Sequence, residues 1–453
     1  MPAFHLATLP VRLLATFVSS FHPRALPPML RRNYGRELGA WLLLPFMLAG
    51  IQGGSMGVVL KKTFTGVEGL SDASIDFAVA CVAASMAIGN LTSSVWASQA
   101  NGRRKVPFLV GLMLATSGCV GLMATTPLTA GGAWMLVSLV ILGWIFWSGV
   151  VTIRTTVWRA NYPDANRATI AGRITTVQVL VMAVAGATLG WALDRSVESF
   201  RPIFGTISLL GIAGAMVYRG VRLRGQSRLA RSERSGHASD RPGLNPLSAV
   251  RVLGDDRRYA AYMACMMLFG FGNLMVMPTL AIIVKDEFDL DYLNSLLLTS
   301  VIPLLVMPLA IPLWAKLLSR LHVISFRSVH SWTFVLASGL FLAAVESHAL
   351  PLLFVASATL GLGFAGGMLA WNLGHQHFAP PHRDAQYMSV HVMLTGLRGL
   401  AAPFLGVAIY TWCAARGHPG LVYAVSLGLN VTGAFGFLTL RAWERRRATA
   451  ATA

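Results

Sequence analysis

The chain has 453 residues, 55% hydrophobic and only 12% charged, against roughly 25% charged in a soluble domain. A mean hydropathy of +0.61 excludes an ordinary soluble fold, which has no use for so much apolar sequence. The net charge of +19, from 37 lysines and arginines against 18 acids, does not point to nucleic acid, because basic loops on one face of a membrane account for it.

Residues 1–37 hold a short apolar patch, but its first charge is Arg12, and Pro10 and Pro23 interrupt the segment. A signal peptide places its charge before the apolar region and a small-residue cleavage site after it. We read a cytoplasmic tail, with Met29 as an alternative start to Met1. Twelve apolar runs follow, near 38–60, 74–96, 106–124, 131–153, 170–193, 202–219, 259–284, 293–315, 328–346, 350–371, 387–411 and 420–441. Each is close to the length a helix needs to cross hydrocarbon. With the N-terminus inside, 28 of the 37 basic residues fall on the inner face and six on the outer, and Arg154, Arg173 and Arg398 lie in or at the edges of spans. That asymmetry supports an even count with both termini cytoplasmic.

The expected organisation is a tail (1–37), a six-helix bundle (38–220), a basic cytoplasmic linker (221–256), a second six-helix bundle (257–441) and a C-terminal tail (442–453). The halves echo each other: VVLKKTF at 58–64 and IIVKDEF at 282–288, Trp96-Ala97 and Trp314-Ala315, Leu189-Gly190 and Leu405-Gly406. Three pairs in order at a near-constant offset indicate a duplicated unit.

Several motifs have ordinary explanations. GLGFAGG at 361–367 lies inside a span, where its glycines serve close helix packing and not nucleotide binding. GIQGGSMG at 50–57 resembles it, though glycines beside Gln52 also loosen a helix at a binding site. Asn90 and Asn430 head glycosylation patterns that lie within spans. The four cysteines sit singly in apolar runs, without the spacing of a disulfide framework or a zinc site. His375, His377, His382 and His391 suggest a metal, but three fall in or near a polar loop and no carboxylate or cysteine completes a shell. We expect no metal and no cofactor, and no ATP-binding loop is present.

Polar groups inside spans are costly in hydrocarbon and mark interior sites. They are Gln52, Asn90, Arg154, Arg173, Gln178, Asn273, Asn372, His391 and Arg398. His391, Thr395 and Arg398 share one helical face by their spacing. Trp147, Arg154 and Trp158 form a comparable stripe. No Asp or Glu lies mid-span; Asp76 and Glu346 are near outer ends. A cation without a partner asks for an anion from solution.

The loop WASQANGRRK at 96–105 resembles the cytoplasmic loop of the major facilitator superfamily, with Gly102, Arg103 and Arg104 on the pattern and Gln99 and Val95 off it. In that family the loop helps hold the outward-open state through charge pairing, and Gln99 supplies no carboxylate for it. RANYPDANRATIAGR, FGFGNLMVMP and AWNLGHQHFAPPHRD are similar to a bacterial branch of the superfamily. The resemblance implies an all-α integral membrane fold of twelve helices in two pseudo-symmetric six-helix bundles, lodged in a bacterial inner membrane and working by alternating access. It implies a monomeric, non-enzymatic secondary transporter of a small solute. The residues above make an anion a candidate cargo and a proton, carried by His391, a candidate coupling ion. The site residues are then Gln52, Asn90, Arg154, Gln178, Asn273, Asn372, His391, Thr395 and Arg398, with Gly102, Arg103 and Arg104 as a gating loop. A metal-chelate transporter and a non-transporting scaffold or sensor are the alternatives.

Overall fold

Backbone polar groups in hydrocarbon must bond within their own segment, which a helix achieves and a loop does not. The computed structural model describes residues 19–235, 252–318, 320–379 and 384–452, and these contain helices and no strands. Twelve helical spans are long and apolar enough to cross a membrane: Pro28–Phe64, Asp72–Leu91, Lys105–Met123, Ala130–Trp158, Thr169–Arg195, Val197–Tyr218, Arg257–Asp286, Tyr292–Leu318, Val323–Glu346, Leu350–Leu373, Val390–Ala414 and Leu421–Arg446. This is a multi-pass membrane protein. Met1, His382 and the linker residues 236–251 lie outside the described residues.

Side-chain oxygens set several starts. Ser71, Thr129, Asp256 and Asp291 each accept from the backbone N–H three residues on, a cap that contributes about 1 kcal/mol. Proline sets another, because Pro28 occupies a first-turn position whose missing N–H costs nothing. The first span therefore begins before the apolar run near 38, and Glu37 belongs to it. That span is not continuous. Its helix pieces Leu44–Ala49 and Gly53–Phe64 are separated at Gln52, whose backbone is extended. The eighth span also departs from regularity, through a π-turn at Leu297–Val301.

Spans one to six pack together, and so do spans seven to twelve. The repeat seen in sequence reappears as one bond made twice. The Trp96 indole donates to the Ile145 carbonyl at 2.8 Å, and the Trp314 indole to the Leu362 carbonyl at 2.9 Å. The second span thus ties to the fourth as the eighth ties to the tenth. Gly361, in the glycine-rich tenth span, lies so close to the eighth that an added Cβ would stand 2.8 Å from the Pro303 carbonyl. The packing reading of that motif is the one its surroundings fit.

Both tails and the linker leave from one end of the helices, the linker face; the other end is the far face. The bonds joining the bundles gather in the far half. Ser55 and Ser300 share a hydrogen bond of 2.9 Å, Thr63 and Tyr292 one of 3.1 Å, and Lys62 donates to the Leu290 carbonyl. The Asp194 carboxylate accepts from the backbone N–H of Tyr292 at 2.5 Å and of Leu293 at 2.9 Å. Gly54 allows the approach, since a Cβ there would stand 2.9 Å from the Thr299 carbonyl. On the linker face, a helix at Gln226–Ser235 docks beneath the first bundle.

Candidate functional site

The eleventh span carries the expected face toward its bundle interior. His391 is 1% exposed and Arg398 is 8% exposed. Neither ring nitrogen of His391 has a hydrogen-bond partner among the described residues, nor does the Thr395 hydroxyl or Nε of Arg398. Trp371 meets His391 edge-on, with ring centroids 5.8 Å apart. One Arg398 nitrogen donates to the Met266 carbonyl of the seventh span at 2.5 Å. The guanidinium lies over Gly270, where any Cβ would overlap it. The absence of a side chain at Gly270 is thus what leaves room for the cation.

A second buried arginine stands nearby, one position outside the apolar run near 328–346. Arg327, 2% exposed, lies just past the first turn of the ninth span and acts electrostatically on both Arg398 and His391. Its terminal nitrogen is 3.2 Å from His330 Nδ1, and its Nε has no partner among the described residues. His330 in turn is held by the Gly363 carbonyl at 2.8 Å and stacks on Phe326. The Tyr262 hydroxyl, buried and also without a partner among the described residues, belongs to a residue that acts electrostatically on Arg398. The second bundle therefore gathers two guanidiniums, an imidazole and two hydroxyls whose polar atoms have spare bonding capacity. Buried donors left unmade cost about 1–3 kcal/mol each, more when charged. Such a cluster is relieved by a polar guest.

In the first bundle, the expectation that Arg154 lacks an opposing carboxylate is corrected. Its guanidinium lies between the rings of Trp41, at 4.3 Å, and Trp158, at 4.5 Å. Glu37, fully buried, accepts from the Trp158 indole and the Tyr162 hydroxyl, each at 2.5 Å, and acts electrostatically on Arg154. An apolar run counted from residue 38 missed this acid by one position. Burial, and next the Glu37 charge, push the Tyr162 phenol well above its ordinary range. Arg173 acts electrostatically on Tyr34. One guanidinium nitrogen each of Arg154 and Arg173 stays unpartnered among the described residues.

The neutral candidates divide. Gln52 sits at the break in the first span with a buried, unpartnered Oε1, and Asn273 on the seventh span has an equivalent Oδ1. Asn90 is half-buried on the second span. The Gln178 amide contacts the Met182 sulfur at 3.8 Å. Asn372 is exposed, and its amide donates within its own helix to the Met368 carbonyl at 2.8 Å. At the linker face Gly102 has φ +69°, and its carbonyl accepts from two Arg234 nitrogens at 3.1 and 2.8 Å. The carbonyl of Arg103 accepts from Gln226 at 3.4 Å. The Gly102-Arg103-Arg104 loop thus engages the linker helix.

The far face holds an ion cluster that the sequence left undescribed. Lys61 is 1% exposed and lies 2.6 Å from Asp76 and 2.9 Å from Asp286. The three residues come from the first, second and seventh spans, so one ammonium bridges the bundles. Tyr410 donates to Asp286 at 3.3 Å and Glu287 at 3.4 Å. The sequence signal was the repeat itself, since VVLKKTF and IIVKDEF meet here. Among the described residues no group of three or more His, Cys, Asp and Glu side chains could hold a metal ion.

Comparison with known proteins gives a consistent fold. The profile of the Major Facilitator Superfamily matches residues 10–403. No curated protein sequence matches the chain. Among solved structures, a mutant of the nucleoside transporter NupG superposes with a TM-score of 0.70 at 14% identity, covering 90% of this chain and 100% of that one. The xylose transporter XylE from E. coli, in a partially occluded inward open conformation, gives 0.66 at 14% identity, covering 91% and 98%. A POT family transporter in complex with 5-aminolevulinic acid gives 0.69 at 13% identity, covering 92% and 96%.

Proposed function

The chain belongs to the major facilitator superfamily, and from that premise we propose that it is a monomeric secondary transporter of a small organic anion, working by alternating access in a bacterial inner membrane. The observation that carries the cargo class is the buried pair Arg398 and Arg327, with Nε of each unpartnered among the described residues. An intramembrane charge costs about 2.5–3.5 kcal/mol on insertion scales, and its default meaning is a ligand or a pathway. Arginine also presents a planar fork that grips a carboxylate or phosphate in two places. Gln52, Asn273, His391 and Thr395 supply unpartnered polar atoms for the rest of the solute.

With the linker face cytoplasmic, the far-half bonds between the bundles correspond to a state closed to the outside. Rocking about the site requires that Lys61 release Asp286 and that Asp194 release the start of the eighth span. His391 is the candidate carrier of a co-transported proton, because it shares a helix face with Arg398 and an anionic solute held there would favour the charged imidazole. His391→Gln should then flatten the pH dependence of transport, and transport by the variant with the wild-type pH profile removes that role.

The test of the cargo class is a thermal-shift screen of purified protein against organic anions, sugars, amino acids and nucleosides, followed by uptake into proteoliposomes. An organic anion should stabilise the wild type and be transported. Arg398→Ala should remain folded and lose that response, with Arg398→Lys restoring part of it. A folded Arg398→Ala protein that binds the hit as tightly as wild type does overturns the anion reading.

A further inference from the structure

A second site lies away from the bundle interior, on the outer flank of the first bundle at the linker face. The third span begins at Lys105 and the sixth ends at Tyr218. Between these two ends runs a groove of about 720 Å³, closed on one side by the start of the linker helix. Its two halves differ in chemistry. Arg104, Arg219 and Arg222 border one end, and Val110, Leu114 and Met216 line the other, with no acidic residue in the lining.

None of the three guanidiniums makes a hydrogen bond or ion pair among the described residues; Arg222 bonds to Asn33 through its backbone and leaves its side chain out of that contact. Arg104 and Arg219 immediately flank the span ends, so their charges sit where hydrocarbon gives way to headgroups. The apolar half points along the spans. Gly111 lines it, and no atom lies within 4 Å of where a Cβ would stand on Gly111 or on Gly118, two turns further along the same face. Leu209 and Met216 on the sixth span are 67% and 46% exposed, so the opposite flank faces lipid. The wall itself is fixed, because the Gln226 side chain accepts from the Lys105 backbone N–H at 3.1 Å and donates to the Arg103 carbonyl.

We propose that this groove binds one anionic phospholipid of the cytoplasmic leaflet, its phosphate among Arg104, Arg219 and Arg222 and an acyl chain along Gly111, Leu114 and Met216. Charge complementarity selects the headgroup. Three cations with no acid between them suit a net negative lipid and gain little from a zwitterion, in which an ammonium offsets the phosphate. The apolar half distinguishes the occupant from a soluble phosphate, which has no use for a slot that continues into hydrocarbon. Since the groove is bounded by the third span, the exit of the sixth and the start of the linker, the lipid fastens the linker helix to the first bundle.

The experiment is native mass spectrometry of the purified full chain, titrated with phosphatidylglycerol or phosphatidylethanolamine of matched acyl chains. One phosphatidylglycerol should bind where phosphatidylethanolamine does not. Substituting Arg104→Gln, Arg219→Gln and Arg222→Gln should weaken it by about fivefold per arginine. Gly111→Leu, which fills the apolar half and leaves all three charges, should also weaken it. A control carrying Arg24→Gln, Arg32→Gln and Arg320→Gln removes the same charge from the same face elsewhere and should bind as wild type. Melting temperature and gel filtration confirm that each variant is folded. Equal losses in the control, unchanged binding in the groove triple, or displacement of the lipid by an equal concentration of glycerol phosphate overturns the proposal.

Discussion

Gly270 and Arg398 show how much one missing methyl group decides. The guanidinium occupies the space that a side chain at 270 would take, so Gly270→Ala should displace it while gaining the intrinsic helix preference of alanine, about 0.5–1 kcal/mol. The expected outcome is little change in melting temperature and a loss of anion affinity of about tenfold to hundredfold, the worth of a charged hydrogen bond. A binding titration on the folded variant measures this, and wild-type affinity would show that Arg398 does not contact the solute. At this scale the sequence was informative where a residue's cost was plain: an arginine and a histidine inside an apolar run had to face the interior. It misled where the helix outran its apolar run. Glu37 and Arg327 each lie one position outside the expected spans near 38–60 and 328–346, yet both are buried, because polar groups at a helix end can turn inward to one another instead of to water.

At the scale of elements, the loops of the second bundle on the linker face yield a pH dependence. His322 and His377 meet edge-on at 4.9 Å, and the Arg258 guanidinium is 3.1 Å from His322 Nε2. Burial, and next the Arg258 charge, hold His322 below the usual imidazole range; burial, then His322 and Arg258, do the same for His377. The unfolded chain takes up these protons at about pH 6.5 while the folded chain resists them. Stability is thus complete above that pH and falls as pH drops through it. Melting curves from pH 8 to pH 5 should show the decline, and a His322→Gln, His377→Gln variant should show a shallower one; an unaltered slope counts against these rings. The far-face clamp gives a second outcome. Asp286→Asn removes one of the two carboxylates on Lys61, so a cysteine placed at Gln52 should become more reactive from the far side, as read by labelling with a membrane-impermeant maleimide. Unchanged labelling would mean that the triad does not restrain the bundles. Helix count and order were legible in the apolar runs and loop charges, since hydrocarbon tolerates few alternatives. The break at Gln52 was hinted at by its glycines, but the π-turn at Leu297–Val301, which packs against the first and fifth spans, leaves no local residue signature.

For the whole molecule, the repeat and the charge asymmetry carry the topology. Reporter fusions at Ser232 and after Arg447 should report cytoplasm, and one at Asp289 the outside; an external signal at Ser232 would break the six-plus-six arrangement. What sequence pattern could not convey is which spans meet across the pseudo-symmetry, because that depends on the state of the carrier and not on the period of its apolar residues. The far-face acids and the interior cations are separated along the membrane normal, and this has an electrical consequence. Fixed charges on two rocking bundles move little through the field, so the charge carried per cycle is that of the solute and any co-transported ion. Bringing a monoanion into a cell against about 100 mV costs about 2.3 kcal/mol, a concentration ratio of about fiftyfold. On the proposed reading, an anion carried on Arg398 and Arg327 without a proton or metal ion would run outward under membrane voltage, and its uptake would need a coupled cation or an inward gradient steeper than that ratio.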